Sequence, residues 1–144
     1  MADRAIHFEL TIRVISREVW SVLTDATKIP LWWDGVHAVQ LTKPEPGGIY
    51  RLDYEGGNPD ECRILDYELG KRLRFEWQST GPAPTIVEYT LNELAGATHV
   101  VFHNSGYGEG AEWDRLHDAN FAGWLNMFLG VRRMLEVAHS GERA

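Results

Sequence analysis

The sequence of 144 residues contains one cysteine, Cys62, so it can form no internal disulfide. A lone cysteine is usual in a reducing compartment, and the cytoplasm is the expected location. No apolar run reaches the 18 residues that a membrane-spanning helix needs, and the first residues lack the pattern of a secretory signal. Neither membrane insertion nor secretion is therefore expected.

Positive charge is also scarce, with 14 Lys and Arg against 21 Asp and Glu, for a net charge of −7. The basic residues are scattered, whereas phosphate binding requires them in clusters. Nucleic acid and anionic membranes are thus not expected partners. Internal repeats, low-complexity tracts and interdomain linkers are absent as well, so residues 1–144 are predicted to form one domain.

Large aromatic side chains, by contrast, are abundant. The chain has six Trp, five Tyr and five Phe, and 44% of its residues are apolar. Such a composition excludes disorder as the main state. Six indoles need either a large core to pack against or a cavity to line.

Alternating apolar and polar residues predict a sheet. At residues 6–14, every second side chain from Ile6 to Val14 is apolar, which is typical of a strand with one buried face. Short loops and turns, several of them rich in Gly and Pro, separate further runs of this kind. These six runs are predicted as strands at residues 36–42, 48–54, 61–69, 72–78, 85–93 and 98–105.

Helical spacing appears in three segments. Ser16 is the expected N-cap of a short helix, and a second short helix or turn is expected at residues 29–33. Apolar residues at intervals of three and four predict a helix at residues 111–138, roughly 42 Å long. The predicted fold is α+β, a seven-stranded curved antiparallel sheet gripping a long C-terminal helix, with two short helices between strands 1 and 2.

Four segments together resemble a known superfamily. They are residues 19–25 (VWSVLTD), 31–33 (LWW), 98–107 (THVVFHNSGY) and 123–129 (GWLNMFL). The chain is similar over nearly its whole length to the SRPBCC superfamily, the helix-grip fold of START-type lipid-transfer and birch-pollen-allergen proteins. Within it, the sequence resembles the homologues of the activator of heat-shock-protein-90 ATPase.

The resemblance implies a cavity between the sheet and the C-terminal helix, suited to small apolar molecules. It implies no universal catalytic set and no cofactor. The namesake activators carry this domain behind a separate N-terminal domain, and this chain is expected to lack it, which counts against a chaperone role. Iron–sulfur members of the superfamily need paired Cys and His ligands, which a single cysteine excludes.

The ligand-binding candidates are the aromatic and polar side chains predicted to face that cavity. They are Trp32, Trp33, Tyr54, Trp77, Tyr89, His103, Trp113, His117, Asn120, Phe121 and Trp124. Pockets of this kind are mostly apolar, with a few polar groups that orient the ligand. The alternative for each residue is that it simply fills the core.

Histidines provide the only catalytic candidates. His99 and His103 lie about 13 Å apart along one strand, too far to share a metal ion, and no metal site is predicted. His103 could face the cavity and meet His117 from the long helix as an acid/base pair. Ordinary hydrogen-bonded side chains are the alternative for both, and Cys62 is read as a small buried residue.

Three functions therefore stand as hypotheses. The first is binding of a small hydrophobic or aromatic ligand, without catalysis. The second is a cyclase- or hydrolase-like enzyme that uses His103 or His117 as acid and base. The third is a protein-interaction or chaperone-associated module, which an exposed apolar patch on the outer sheet face would favour. Homodimerisation is plausible under each.

Overall fold

The computed structural model describes residues 4–78 and 82–142 as a sheet packed against helices. Two helices, α1 (Ser16–Thr24) and α2 (Ala111–Glu142), and a short 3-10 helix (Ile29–Leu31) accompany seven strands. The strands are β1 (Arg4–Ile12), β2 (Val36–Leu41), β3 (Ile49–Tyr54), β4 (Asp60–Glu68), β5 (Arg72–Trp77), β6 (Thr85–Leu94) and β7 (Ala97–Tyr107). The predicted helix-grip architecture is confirmed.

All strand pairs are antiparallel, in the spatial order β1-β7-β6-β5-β4-β3-β2. From β2 to β7, strands that follow one another in the sequence pair with each other. The first strand, β1, pairs with the last, β7. β1 and β2 are consequently the two edges of the sheet. Among the described residues, no helix is both long and apolar enough to cross a membrane.

The inner face of the sheet follows the alternation in the sequence. In β7, Val100, Phe102 and Asn104 are fully buried, while His99 and His103 alternate with them and point to the other face. Helix α2 covers the inner face with the predicted apolar stripe, in which Trp124, Phe128 and Val131 are almost completely buried. The core thus lies between the sheet and the helices.

The outer face of the sheet carries rows of opposite charges. Arg72 donates to Glu88 at 3.0 Å, and Arg74 donates to Asp66 at 3.1 Å. Arg63 pairs with Glu76 in the same manner on neighbouring strands. Exposed pairs of this kind contribute about 0–1 kcal/mol each, but together they make the face strongly polar.

The first strand, predicted at residues 6–14, is Arg4–Ile12 in the structure, and the ends of two helices also differ from the prediction. Helix α1 begins at Ser16 itself, with Ile15 as N-cap and no side-chain cap; the Ser16 hydroxyl instead donates to Glu93 at 2.9 Å. Helix α2 extends four residues beyond the predicted end at 138. The contact of Ser16 with Glu93 joins residues far apart in the chain, so the local sequence does not reveal it.

Candidate functional site

Helix α2 and the sheet meet through a cluster of aromatic rings. The centroid of Trp124 lies 4.8 Å from that of Phe102, 4.9 Å from Trp33 and 5.3 Å from Trp77. Phe128, one turn further along the helix, lies 5.2 Å from Phe102. These ring contacts fill the interval in which the sequence predicts a hollow.

A small void remains nearer the other helices, between α1, the 3-10 helix and the middle of the sheet. Its accessible volume is about 10 Å³, close to the minimum that holds a single water molecule. Its lining is almost entirely apolar. The residues that border it are Leu23, Ile29, Trp33, Tyr50, Leu52, Cys62, Leu73, Phe75 and Tyr89.

Three polar side chains border this void. The Tyr50 hydroxyl donates to the backbone oxygen of Thr24 at 2.8 Å, which ties β3 to the end of α1. Burial raises the pKa of the Tyr89 hydroxyl well above the ordinary value. Burial likewise raises the pKa of the Cys62 thiol, so this group is a neutral, unreactive thiol near neutral pH.

Behind Trp33, two indole N–H groups are buried without a partner. Trp77 Nε1 and Trp124 Nε1 make no hydrogen bond in the described structure, whereas Trp32 Nε1 donates to the Val22 oxygen at 2.8 Å. A buried unsatisfied donor costs about 1–3 kcal/mol. Both rings contact Trp33, which borders the void.

A half-buried carboxylate lies at the same end of the sheet. Asp60 at the start of β4 accepts a hydrogen bond from the Tyr54 hydroxyl at 3.0 Å. Burial raises the Asp60 pKa, and the hydrogen bond from Tyr54 and the nearby Trp77 indole lower it by less. The Trp77 N–H influences this pKa without making a hydrogen bond of normal geometry.

A second polar group joins β7 to the first turns of α2. Tyr107 donates to Asn104 at 2.6 Å and accepts from Asn120 at 2.8 Å, while Asn104 donates to the Ile86 oxygen at 3.0 Å. Burial raises the Tyr107 pKa to about 12, despite the opposing hydrogen bond from Asn120. Each member of this network has a hydrogen-bond partner within the protein.

The predicted acid/base pair of His103 and His117 does not assemble. His103 lies on the outer face, where its ring nitrogen is 3.3 Å from that of His7. His117 Nε2 lies 3.3 Å from the Ala5 oxygen, beside the Tyr107 ring. The expectation that both face one hollow is thus wrong, because position 103 falls on the outward half of the β7 alternation.

Most of the other candidates fall into two groups. Trp33 and Tyr89 border the void, with Trp77 and Trp124 packed behind Trp33. A separate group surrounds the start of α2. It comprises Trp113, His117, Asn120 and Phe121. Trp32 stacks on Trp33, and Tyr54 bonds Asp60.

Sequence reasoning missed most of the residues that border the void. Tyr50 and Leu52 in β3 and Leu73 and Phe75 in β5 are alternating buried positions, and this alternation could have identified them. Cys62 was predicted to be buried, and it is. Its position at the void is a consequence of sheet register that a single strand does not reveal.

Two further recesses are open to solvent. A groove of about 620 Å³ beside the end of α2 is lined partly by Arg13, Arg132 and Arg133. Another of about 270 Å³ lies between the 3-10 helix and α2. Over residues 4–78 and 82–142, no three His, Cys, Asp or Glu side chains converge on one metal position.

Comparison with known proteins agrees with this architecture. The family model described as "Activator of Hsp90 ATPase homolog 1-like protein" matches residues 14–131. No functionally curated protein matches the sequence at a significant level.

Solved structures of the same fold come from several bacteria. Protein MLL2253 from Mesorhizobium loti superposes with a TM-score of 0.77 at 22% identity, covering 92% of this chain and 97% of that one. CalU16 from Micromonospora echinospora gives 0.74 at 21%, covering 92% and 74%. An Aha1 dimer from Colwellia psychrerythraea gives 0.75 at 16%, covering 93% and 97%. At these identities the likeness establishes the fold alone.

Proposed function

Since the chain belongs to the family of activator of Hsp90 ATPase homolog 1-like proteins, we propose that it binds a small apolar or aromatic ligand inside the helix-grip fold. The binding site is the void between α1, the 3-10 helix and the middle of the sheet. The ligand carries a hydrogen-bond acceptor. Binding enlarges the void, and catalysis is not part of the proposal.

The observation that carries this proposal is the placement of unused polar groups. The Trp77 and Trp124 N–H groups lie buried without a hydrogen-bond partner, and both rings pack against Trp33 in the void's lining. A core evolved only for stability pairs such groups or replaces them with apolar ones. An acceptor on a ligand would remove the cost of leaving them unpaired.

Trp33 is the side chain whose movement makes room. It lies two residues past the 3-10 helix, and its ring is packed between Phe75, Trp77 and Trp124. Moving it outward would join the void to the space beside the two indole N–H groups. A ligand taking its place would gain about 25 cal/mol per Å² of buried apolar surface, before the cost of association.

The ligand class is tested with matched compounds. Acetophenone and ethylbenzene are similar in size, but only the first has a carbonyl acceptor. We expect both to raise the melting temperature with concentration, and acetophenone to bind about fivefold more tightly, since one neutral hydrogen bond contributes about 1 kcal/mol. If neither compound, nor any member of a wider apolar panel, shifts melting, the proposal is wrong.

The location is tested with a matched pair of substitutions at one position. Cys62→Ala enlarges the void, whereas Cys62→Met fills it with an adaptable apolar side chain. Affinity for acetophenone should therefore rise in Cys62→Ala and fall in Cys62→Met. Equal affinities in folded samples of both variants would place the binding elsewhere. Native mass spectrometry of freshly purified protein checks independently for a co-purified ligand.

The other hypotheses receive less support. An enzyme built on His103 and His117 lacks its geometry, because the two rings lie on different sides of the sheet. An interaction module would favour an apolar patch, yet the outer face is crossed by ion pairs. Its large exposed apolar side chains, such as Leu69 and Leu94, stand singly near hairpin turns.

We also propose a homodimer formed through a sheet edge, in a cytoplasmic protein. The two edge strands, β1 and β2, have unpaired backbone groups that a second copy could use. The similar fold from Colwellia psychrerythraea is described as a dimer. Light scattering during gel filtration tests this state, and a monomer at high concentration would refute it. The reduced, buried Cys62 agrees with a reducing compartment.

A further inference from the structure

Three histidines and a glutamate form a chain across the outer face of β1 and β7. His7 and His103 are directly opposite in the strand register, with their Nδ1 atoms 3.3 Å apart. His7 Nε2 lies 3.1 Å from one oxygen of Glu9, and His99 Nε2 lies 2.8 Å from the other. None of these groups takes part in the proposed interior site.

The separation between the two Nδ1 atoms matches a metal chelate. Tetrahedral zinc holds nitrogen ligands at about 2.0–2.1 Å, which places two of them roughly 3.3–3.4 Å from each other. The rings of His7 and His103 meet edge to face, with an interplanar angle of 68°. A small rotation of each ring would aim both lone pairs at a common point on the solvent side.

Glu9 prepares His7 for this role. A carboxylate accepts hydrogen bonds only, so His7 Nε2 carries the proton of the 3.1 Å contact. In the neutral ring this leaves His7 Nδ1 unprotonated and able to bind a metal. A histidine ligand whose other nitrogen donates to a carboxylate is the usual supporting arrangement around protein-bound zinc.

His103 needs only a change of tautomer. In the contact between the two rings, His103 Nδ1 must donate to the free His7 Nδ1. Transfer of that proton to its own Nε2 makes His103 a neutral Nδ1 ligand without a change in net charge. Glu88, opposite His103 on its other side, is already held by Arg72 at 3.0 Å, so the protein supplies two ligands and not three.

We infer that His7 and His103 form a site for a divalent transition-metal ion such as Zn²⁺, with Glu9 as its supporting carboxylate. Water completes the coordination sphere, since no third side chain converges there among the described residues. Imidazole ligands suit Zn²⁺, Cu²⁺ and Ni²⁺, and exclude Mg²⁺ and Ca²⁺, which require oxygen ligands. The bound ion would cross-link the edge strand β1 to β7.

Zinc sulfate and a competing chromophoric chelator provide the test, applied to the full-length protein. Wild type should bind one equivalent, and His7→Ala or His103→Ala should weaken affinity at least tenfold. Glu9→Gln should weaken it about tenfold, because it removes only the supporting carboxylate. His37→Ala, an exposed histidine on β2, is the matched control and should leave affinity unchanged.

A second measurement does not depend on affinity. Zinc should shift the Nδ1 resonances of His7 and His103 in long-range ¹⁵N spectra, and should raise the melting temperature of wild type but not of the two alanine variants. Metal-free melting verifies that each variant is folded. The inference is overturned if the double variant H7A/H103A binds zinc as wild type does, or if zinc affects other histidines equally.

Discussion

A single carboxylate illustrates how burial and hydrogen bonding compete in this protein. Asp60 is half-buried at the start of β4 and accepts the Tyr54 hydrogen bond at 3.0 Å. The hydrogen bond favours the ionised form, yet burial outweighs it and the pKa is raised. The folded protein therefore binds a proton at Asp60 more strongly than the unfolded chain does.

The consequence for stability has a definite sign. A raised folded-state pKa gives stability that is complete below the unfolded value of about 3.9 and is lost as the pH rises through the folded value. Asp60→Asn keeps an acceptor for Tyr54 and cannot ionise. We expect the free energy of unfolding of Asp60→Asn, compared with that of wild type, to be more favourable at pH 7 than at pH 3. Urea unfolding curves of both proteins at both pH values measure this difference.

Glu9 supplies a comparison of opposite sign. Hydrogen bonds from His7 and His99 lower its pKa, so its contribution is present above the unfolded value of about 4.3 and is lost as the pH falls. Glu9→Gln should thus lose stability relative to wild type at neutral pH and not in acid. If Asp60→Asn instead lost stability relative to wild type at neutral pH and not in acid, burial would not be the dominant influence on the Asp60 pKa.

Residue-level predictions from the sequence succeeded where a side chain's role depends on its own strand. Trp33, Trp77, Tyr89 and Trp124 are buried, as their positions on the inner faces of strands and helices predict, and their ligand-binding role stays a prediction. His103, read as a cavity residue, lies on the outward half of the β7 alternation, opposite His7, because one strand's sequence does not fix which of its faces is buried. No local pattern reports which distant residue lies opposite.

Helix α2 contains glycines that serve no steric purpose. A Cβ atom added at Gly123 or Gly130 would meet nothing within 4 Å, and neither residue has a positive φ. Glycine in a helix costs about 0.8–1.0 kcal/mol relative to alanine. Their presence lowers the stability of the helix without a compensating contact.

Gly130→Ala is therefore expected to stabilise the protein by roughly 0.5–1 kcal/mol, measured by urea unfolding. Gly48→Ala is the contrasting change, because its Cβ would clash with the backbone oxygen of Lys43. The loop must shift to relieve that clash, and we expect a loss of roughly 1–3 kcal/mol. Similar changes in the free energy of unfolding for both substitutions would show that the room for a Cβ atom does not determine their effect.

At the level of elements, the sequence predicts the order, type and approximate bounds of the helices and strands. Alternation in β5, β6 and β7 and the stripe on α2 are strong because each element has one buried face. The irregularities in register near the start of β1, in β2 and in β4 are not predictable in this way. They arise from how strands pair.

The size of an interior cavity is a property of the whole molecule. The number of aromatic residues predicts that they share one space, but whether they fill it depends on how their rings interlock. The ring contacts of Trp124 fill the predicted hollow, and only about 10 Å³ remains nearby. The pattern of residues along the chain therefore does not predict whether these rings fill the cavity.

Opening of the fold can be followed through Cys62. Its thiol is buried and its pKa is raised, so a thiol reagent reacts only after the layer formed by α1 and the 3-10 helix separates from the sheet. We expect the labelling rate to rise with urea less steeply than global unfolding does, because less surface is exposed.

An identical urea dependence would mean that this layer opens only with the entire protein. That result would count against an enlargeable site, since a ligand could then enter only through global unfolding. Acetophenone should slow labelling of the wild-type thiol. Because Cys62 is buried in the folded protein, the labelling rate of urea-unfolded protein serves as the reference for a fully exposed thiol.

The interlocked indoles also give the molecule an optical property. Trp33, Trp77 and Trp124 have mutual centroid distances of 4.9, 5.3 and 6.2 Å, close enough for their electronic transitions to couple. Near-ultraviolet circular dichroism should therefore show a split indole signal that comes from the group and not from any one ring. Displacing Trp33 breaks two of the three couplings, so the protein reports the occupancy of its own interior without an added label.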